Sequence, residues 1–280
     1  MLKIRAYEED SFSFYKGIVK SKRNTESKPE LKEELAVISD NQSQYFEDYD
    51  DAFDMDSLAL MQSMPYSEND KVNLKSLYNY RNKRIQALKN TLTTHPHHRD
   101  HIFSTCQNCT INDVDSMDHV LGQTEFPEYS VHPKNLFPCC SDCNRKKSDK
   151  FVDDNSSQLF LNLFIDDLPK SQYLKVRFEA NWMPKFYLEQ PKDVADDVFN
   201  LIKSHYKHLD LLERFRGKGG EIINSLKAII KGYKGLEVNI EDKINEHCTE
   251  LEPYLGYNHR QVIIYRELAA SKDFIQHCLT

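Results

Sequence analysis

Cys106-Gln107-Asn108-Cys109, Asp118-His119, Asn135-Leu136 and Cys140-Ser141-Asp142-Cys143-Asn144 crowd into one short stretch of a 280-residue chain. The cysteine spacing is C-x2-C, thirty residues, then C-x2-C again. Each pair can form a tight knuckle whose backbone N–H groups face the sulfurs, and two knuckles supply a tetrahedral thiolate shell. Seven cysteines is an odd number, and the opening MLKIRAYEEDSF has no apolar run of the secretory kind. A cytoplasmic location is therefore expected, where thiols stay reduced and these pairs serve as ligands and not as disulfides. Four thiolates leave zinc no open position, so the expected Zn2+ at Cys106, Cys109, Cys140 and Cys143 is structural. It stands in for the core that a module of about 50 residues cannot build alone. Cys139 adjoins Cys140, and spacing alone does not fix which of them ligates. The C-x2-C geometry favours Cys140; Cys139, after Leu136-Phe137-Pro138, reads as a small buried hydrophobe.

Between the pairs lies a second donor set of opposite character. Residues 114–120 alternate enough to read as a strand, and 134–139 as another. Ser141-Asp142 starts a helix with cap-type residues, and helix formers follow. Strand, long loop, strand, helix brings Asp118 and His119, at the end of the first strand, toward Asn144 on the first helical turn. Taken singly, an Asp-His pair is common, Asn135 suits a turn, Asn144 an N-cap, and Arg145-Lys146-Lys147 with Lys150 a solvated face. Their joint occurrence inside a four-cysteine frame is what carries weight.

These residues resemble the HNH, or ββα-metal, endonucleases. The likeness is to the zinc-containing branch, with C-x2-C, D-H, N-L and C-x2-C-N followed by a lysine, here Lys147. It covers about residues 104–150. The resemblance implies that His119 is the general base for the attacking water, for which an imidazole titrating near neutrality is suited. It implies that Asp118 and the Asn144 amide oxygen hold one Mg2+ or Mn2+, hard cations that prefer oxygen ligands. Asn135 is then expected to bond the loop backbone and steady the His119 ring. Arg145, Lys146, Lys147 and Lys150 are expected to contact nucleic acid. Products with 5′-phosphate and 3′-hydroxyl ends are implied.

Two departures stand out. Family members often carry a lysine three or four residues past the histidine, where this chain has Gly122-Gln123-Thr124. His132 in that loop suits a phosphate contact or a turn cap, the cap being favoured. The run His95-Pro96-His97-His98-Arg99-Asp100-His101 reads as an exposed linker in preference to a metal site.

The net charge is −7, and residues 95–150 carry six Lys/Arg against eight Asp/Glu. Phosphate affinity needs local positive surface, so tight DNA binding is expected only within an assembly. Basic clusters lie elsewhere, at Lys16–Arg23, Arg81–Arg84 and Arg214–Lys234. The acidic run Glu47–Asp56 reads as a solvated loop, with self-shielding or partner binding the alternative.

With 39% hydrophobic residues the chain can build a real core, and no window approaches 18 apolar residues. Residues 28–48 and 68–93 read as helices. Residues 172–179 and 184–189 read as a hairpin. From about 192 onward the signal is helical, broken at Gly217-Lys218-Gly219-Gly220, which reads as a helix–helix turn, and 257–279 reads as one helix.

The expected fold class is α+β, mostly helical, with a central zinc-stabilised ββα module at 95–153. An N-terminal helical region, 1–94, and a mainly helical C-terminal region with a short hairpin, 154–280, flank it. The layout is similar to bacterial anti-phage defence HNH effectors of the Septu and retron type, which implies an ATPase partner subunit or a second copy. The expected function is a metal-dependent DNA endonuclease acting in a complex. The alternatives are a non-catalytic zinc-stabilised nucleic-acid-binding or adaptor protein, or an RNase or junction resolvase on the same scaffold.

Overall fold

Asp10 starts the first helix by accepting a hydrogen bond from the Ser13 amide at 2.6 Å, and α1 runs Ser11–Ser21. In this computed structural model residues 1–98 and 101–280 are described. The chain is α+β, with helices outweighing two small antiparallel sheets. Among the described residues no helix is long and apolar enough to cross a membrane.

Contacts divide the chain into two units. One, the N-terminal unit, comprises Lys3–Cys106 and Asn112–Asp166. After α1 it holds α2 (Leu31–Asp54), α3 (Glu68–Leu77), α4 (Lys83–Leu92), the hairpin β1 (Ser116–His119) and β2 (Leu136–Cys139), and α5 (Ser141–Lys147). The hairpin register pairs Ser116 with Cys139 and His119 with Leu136. The expected 68–93 helix is two helices. Asn82, whose side chain accepts from the Arg84 amide, caps a fresh start after the break at 78–82. Helix α1 was not foreseen. Its buried face, Phe14, Tyr15 and Ile18, packs on α2.

The acidic run is corrected. Its first eight residues form the last two turns of α2 and no loop. Tyr49 and Phe53 point inward, while Asp50 and Asp54 sit 3.0 and 3.5 Å from the Lys134 ammonium. His132 is corrected too. It is fully buried, its ring 4.4 Å from Phe46 and 4.1 Å from Tyr49 between centroids, and its side chain caps nothing. In the histidine run, Arg99 and Asp100 lie outside the described residues. His95 is buried against Phe103 at 4.9 Å, so an exposed linker does not describe it.

The C-terminal unit comprises Met1–Leu2, Gln107–Ile111 and Asp167–Thr280. Its hairpin, β3 (Leu174–Phe178) with β4 (Pro184–Leu188), is antiparallel, as the short connection through 179–183 requires. Helices α6 (Asp196–His208), α7 (Leu211–Gly232), α8 (Ile240–Leu255), α9 (Arg260–Ala269) and α10 (Lys272–Leu279) follow. Helix α7 runs straight through Gly217-Lys218-Gly219-Gly220, correcting the expected turn. A Cβ on Gly219 would sit 2.4 Å from the Pro184 ring, so this glycine lets α7 approach β4. Packing there outweighs the helix cost of glycine, about 1 kcal/mol per residue. The expected 257–279 helix is likewise two, because Ser271 caps α10 by accepting from the Phe274 amide.

Candidate metal-binding and catalytic site

Cys140 begins the site. It is the N-cap of α5, and its Sγ accepts from the Cys143 amide at 3.5 Å, which closes the second knuckle. Asn112 donates to the same sulfur at 3.9 Å. The sulfurs of Cys106, Cys109, Cys140 and Cys143 all lie within 4.8 Å of one another, and all four residues are buried. Four Zn–S bonds of about 2.3 Å require sulfur separations of roughly 3.8 Å, so the cluster is of the right size for a structural metal such as zinc. The 107–110 turn is braced from its carbonyls. Arg260 donates twice to Thr110 O at 3.1 and 3.2 Å, and the His205 ring bonds Asn108 O at 2.9 Å. The Arg260 guanidinium also favours the Cys109 thiolate electrostatically. Cys139 is buried beside the cluster, outside its ligand set.

The hairpin and α5 are stapled by Asp115, whose Oδ1 accepts from the Ser141 amide at 2.6 Å and its hydroxyl at 2.8 Å. That staple brings Asn144 to β1. The Asn144 amide nitrogen donates to Ser116 Oγ at 2.8 Å and Met117 O at 3.4 Å, which leaves its oxygen as the atom available to a ligand. Asp118, His119 and Asn144 line one cavity of about 440 Å³, together with Tyr78, Gln123 and Arg145.

The His119 ring is held at both edges. Nε2 lies 2.9 Å from the Ser130 carbonyl, and Tyr78 packs on the ring edge-on at 4.8 Å. A carbonyl only accepts, so in the neutral ring Nε2 carries the proton and Nδ1 is the basic atom. Burial, helped by the nearby Lys147 charge, lowers the His119 pKa to about 4. The imidazole is thus neutral at pH 7, and the expected titration near neutrality is corrected, since burial makes it a weaker base. Burial pushes the Asp118 carboxyl up to about 6, against the pull of Lys147.

Lys147 stands apart from the rest of its basic cluster. It is buried, its ammonium donating to the His119 carbonyl at 2.6 Å and lying 3.4 Å from Asp118. Arg145, Lys146 and Lys150 are exposed; Arg145 pairs with Asp142 at 2.5 Å. The sequence held the signal, since Lys147 follows Cys143 by four and so shares its buried helical face.

Asn135 is fully buried, and all of its side-chain bonds go to the loop and α2. Its oxygen accepts from the Leu121 amide at 2.7 Å and the Tyr49 hydroxyl at 3.1 Å. Its nitrogen donates to Leu121 O at 3.1 Å and Tyr129 O at 3.0 Å. Because Tyr129 adjoins Ser130, this clamp fixes the carbonyl that orients His119. Asn135→Ala leaves the Leu121 N–H and C=O unmatched, while the Tyr129 carbonyl keeps only the His132 amide. It is expected to cost about 2–4 kcal/mol of stability, read as a lowered midpoint in denaturant unfolding.

No family model matches the chain. No solved structure matches it either. Over 228 residues it is 27% identical to protein ea31 of Escherichia phage lambda, an alignment covering 74% of each chain. That name carries no activity.

Sequence reasoning missed Tyr78, Asp115 and Glu128. Tyr78 was legible only as a residue of the expected 68–93 helix. Glu128 is buried in the loop, accepts from the Met64 amide at 3.3 Å, and burial raises its pKa to about 7. A carboxyl whose folded pKa exceeds its unfolded value binds more protons when folded, between those two pKa values. Stability therefore falls as pH rises from about 4.5 to 7. Glu128→Gln is expected to flatten that slope and to raise stability above pH 7 by up to ~3 kcal/mol. Unfolding curves at pH 5 and pH 8 that shift equally in both proteins would refute it.

Proposed function

We propose that this chain is a metal-dependent endonuclease of the HNH kind that hydrolyses phosphodiester bonds in DNA. The observation that carries the reading is the single cavity shared by Asp118, His119 and Asn144. His119, proton on Nε2, takes a proton from water at Nδ1 as the water oxygen attacks phosphorus. The Ser130 carbonyl keeps Nδ1 free for this, and Asn135 keeps Ser130 in position. The Asp118 carboxylate and the Asn144 amide oxygen are a donor pair fit for Mg2+ or Mn2+, with most of the shell left to water and phosphate. When bound, that cation supplies charge stabilisation at the scissile phosphate and the leaving 3′ oxygen. Arg145 and Gln123 at the cavity wall are suited to a flanking phosphate. Exposed Lys146 and Lys150 extend the same basic side of α5.

The four thiolates hold zinc in a structural role, on this reading. A net charge of −7 argues that the enzyme engages DNA as part of an assembly, with an ATPase-type partner or a second copy, as in a bacterial defence effector.

One observation favours the non-catalytic adaptor reading. The Lys147 ammonium already occupies one face of the Asp118 carboxylate. Incubating purified protein with supercoiled plasmid, or with structured RNA, in Mg2+ or Mn2+ separates the two. Nicking that needs the cation supports the enzyme, and the substrate cut names its class. Protein that retains zinc and binds plasmid yet leaves DNA and RNA intact in every cation supports the adaptor.

A further inference from the structure

We propose that the C-terminal unit carries a nucleotide-binding site, with a base on Trp182 and a phosphate at Lys227. The site is a cavity of about 480 Å³ walled by the β3–β4 tip and by α7, and lined by Trp182, Arg216, Gly217, Gly220, Asn224 and Lys227.

Each wall has its chemistry. Trp182 is set at the hairpin tip with φ +62, after Asn181 with φ +57, a conformation that bulky side chains rarely adopt. Packing holds it there, with the Phe274 ring 5.0 Å away at 77°. The indole stays half-buried, with room for a planar partner. Arg216 reaches Glu179 at 3.2 Å and Glu213 at 3.9 Å, while Lys227 makes no ion pair among the described residues. Arg216 is thus matched by carboxylates, and Lys227 on the same cavity is the cation left to an anion. Asn181 and Asn224 offer amides to the edges of a base.

The glycines add an independent argument. Gly219 has a packing reason, given above. Gly217 and Gly220 have none: a Cβ on either would meet nothing within 4 Å. Each weakens the helix, yet both border this cavity. Bare backbone on one wall, an aromatic ring on the other and the Lys227 ammonium on the same cavity suit a flat base bearing a phosphate. A free nucleotide and one unit of a nucleic-acid strand present that same chemistry.

Trp182 is the only tryptophan in the chain, so emission excited at the red edge, where tyrosine does not absorb, reports on this cavity. The full-length protein is titrated with oligothymidylate and, separately, with thymidine monophosphate, without added divalent cation. Saturable quenching is expected, weakened about tenfold or more by Lys227→Ala and by Gly220→Leu. Gly220→Leu should melt at the parent temperature or above it, which separates a blocked site from a damaged fold. Quenching by the oligonucleotide alone assigns a strand; equal quenching by the monophosphate assigns a free nucleotide. Emission that neither compound moves, or a response that Gly220→Leu leaves intact, overturns the proposal. The assay needs no turnover, so its failure would leave the cleavage reading untouched.

Discussion

His119→Ala is expected to lower the rate of plasmid nicking by about 10²–10⁴-fold with little change in fold or zinc content. The imidazole is the neutral base that opens on the cavity, and one of its nitrogens is already committed to the Ser130 carbonyl. Without it, the attacking water has no group to take its proton, because Asp118 is assigned to the cation and faces Lys147. The fold should survive. The lost contacts are one ring edge against Tyr78 and one hydrogen bond, whereas the β1–β2 ladder and the Asp115 staple remain. The hole left behind invites a sharper readout, partial rescue by free imidazole, which a merely structural role would not produce. Nicking by the variant at the parental rate, under Mg2+ or Mn2+, would show that the base lies elsewhere.

The local frame of the site was legible because its determinants are short-range. C-x2-C knuckles, a strand pair and a cap followed by helix formers are each fixed within a few residues, and their order brings 118, 119 and 144 to one cavity. What eluded the sequence is long-range or depends on packing. Asn135 reaches Tyr49 on α2, Tyr78 arrives from the end of α3, and Lys147 turns inward because α5 is pinned at Cys143. Glycines misled for the same reason. Their local signal at 217–220 is a turn, yet helix–strand packing at Gly219 keeps α7 continuous. Aromatic neighbours override composition likewise. The acidic run is helical because Tyr49 and Phe53 anchor it beneath a solvated carboxylate face.

Cys143→Ser is expected to abolish zinc retention and leave the protein insoluble or melting far below the parent. Serine keeps its proton at neutral pH, so one of four anionic ligands is lost. The Cys143 side chain belongs to the buried sulfur cluster and sits on the first turn of α5, so a metal held there ties that helix to the other three cysteines. Zinc binding in small thiolate modules is worth about 10 kcal/mol or more, comparable to the whole net stability of a typical domain. Three buried thiols and a hydroxyl cannot make up that loss through packing. When α5 detaches, Asn144 leaves Ser116 and the cavity loses one wall, so activity should vanish with the metal. Cys139→Ser is the matching control, one residue from Cys140 and equally buried, yet outside the cluster. It should keep its zinc and lose at most a few kcal/mol, the cost of a hydroxyl without a partner in a buried position. Metal analysis and thermal unfolding of the two variants side by side decide the matter. Parental zinc and melting in Cys143→Ser, or zinc loss in Cys139→Ser, would mean that the ligand set has been drawn wrongly.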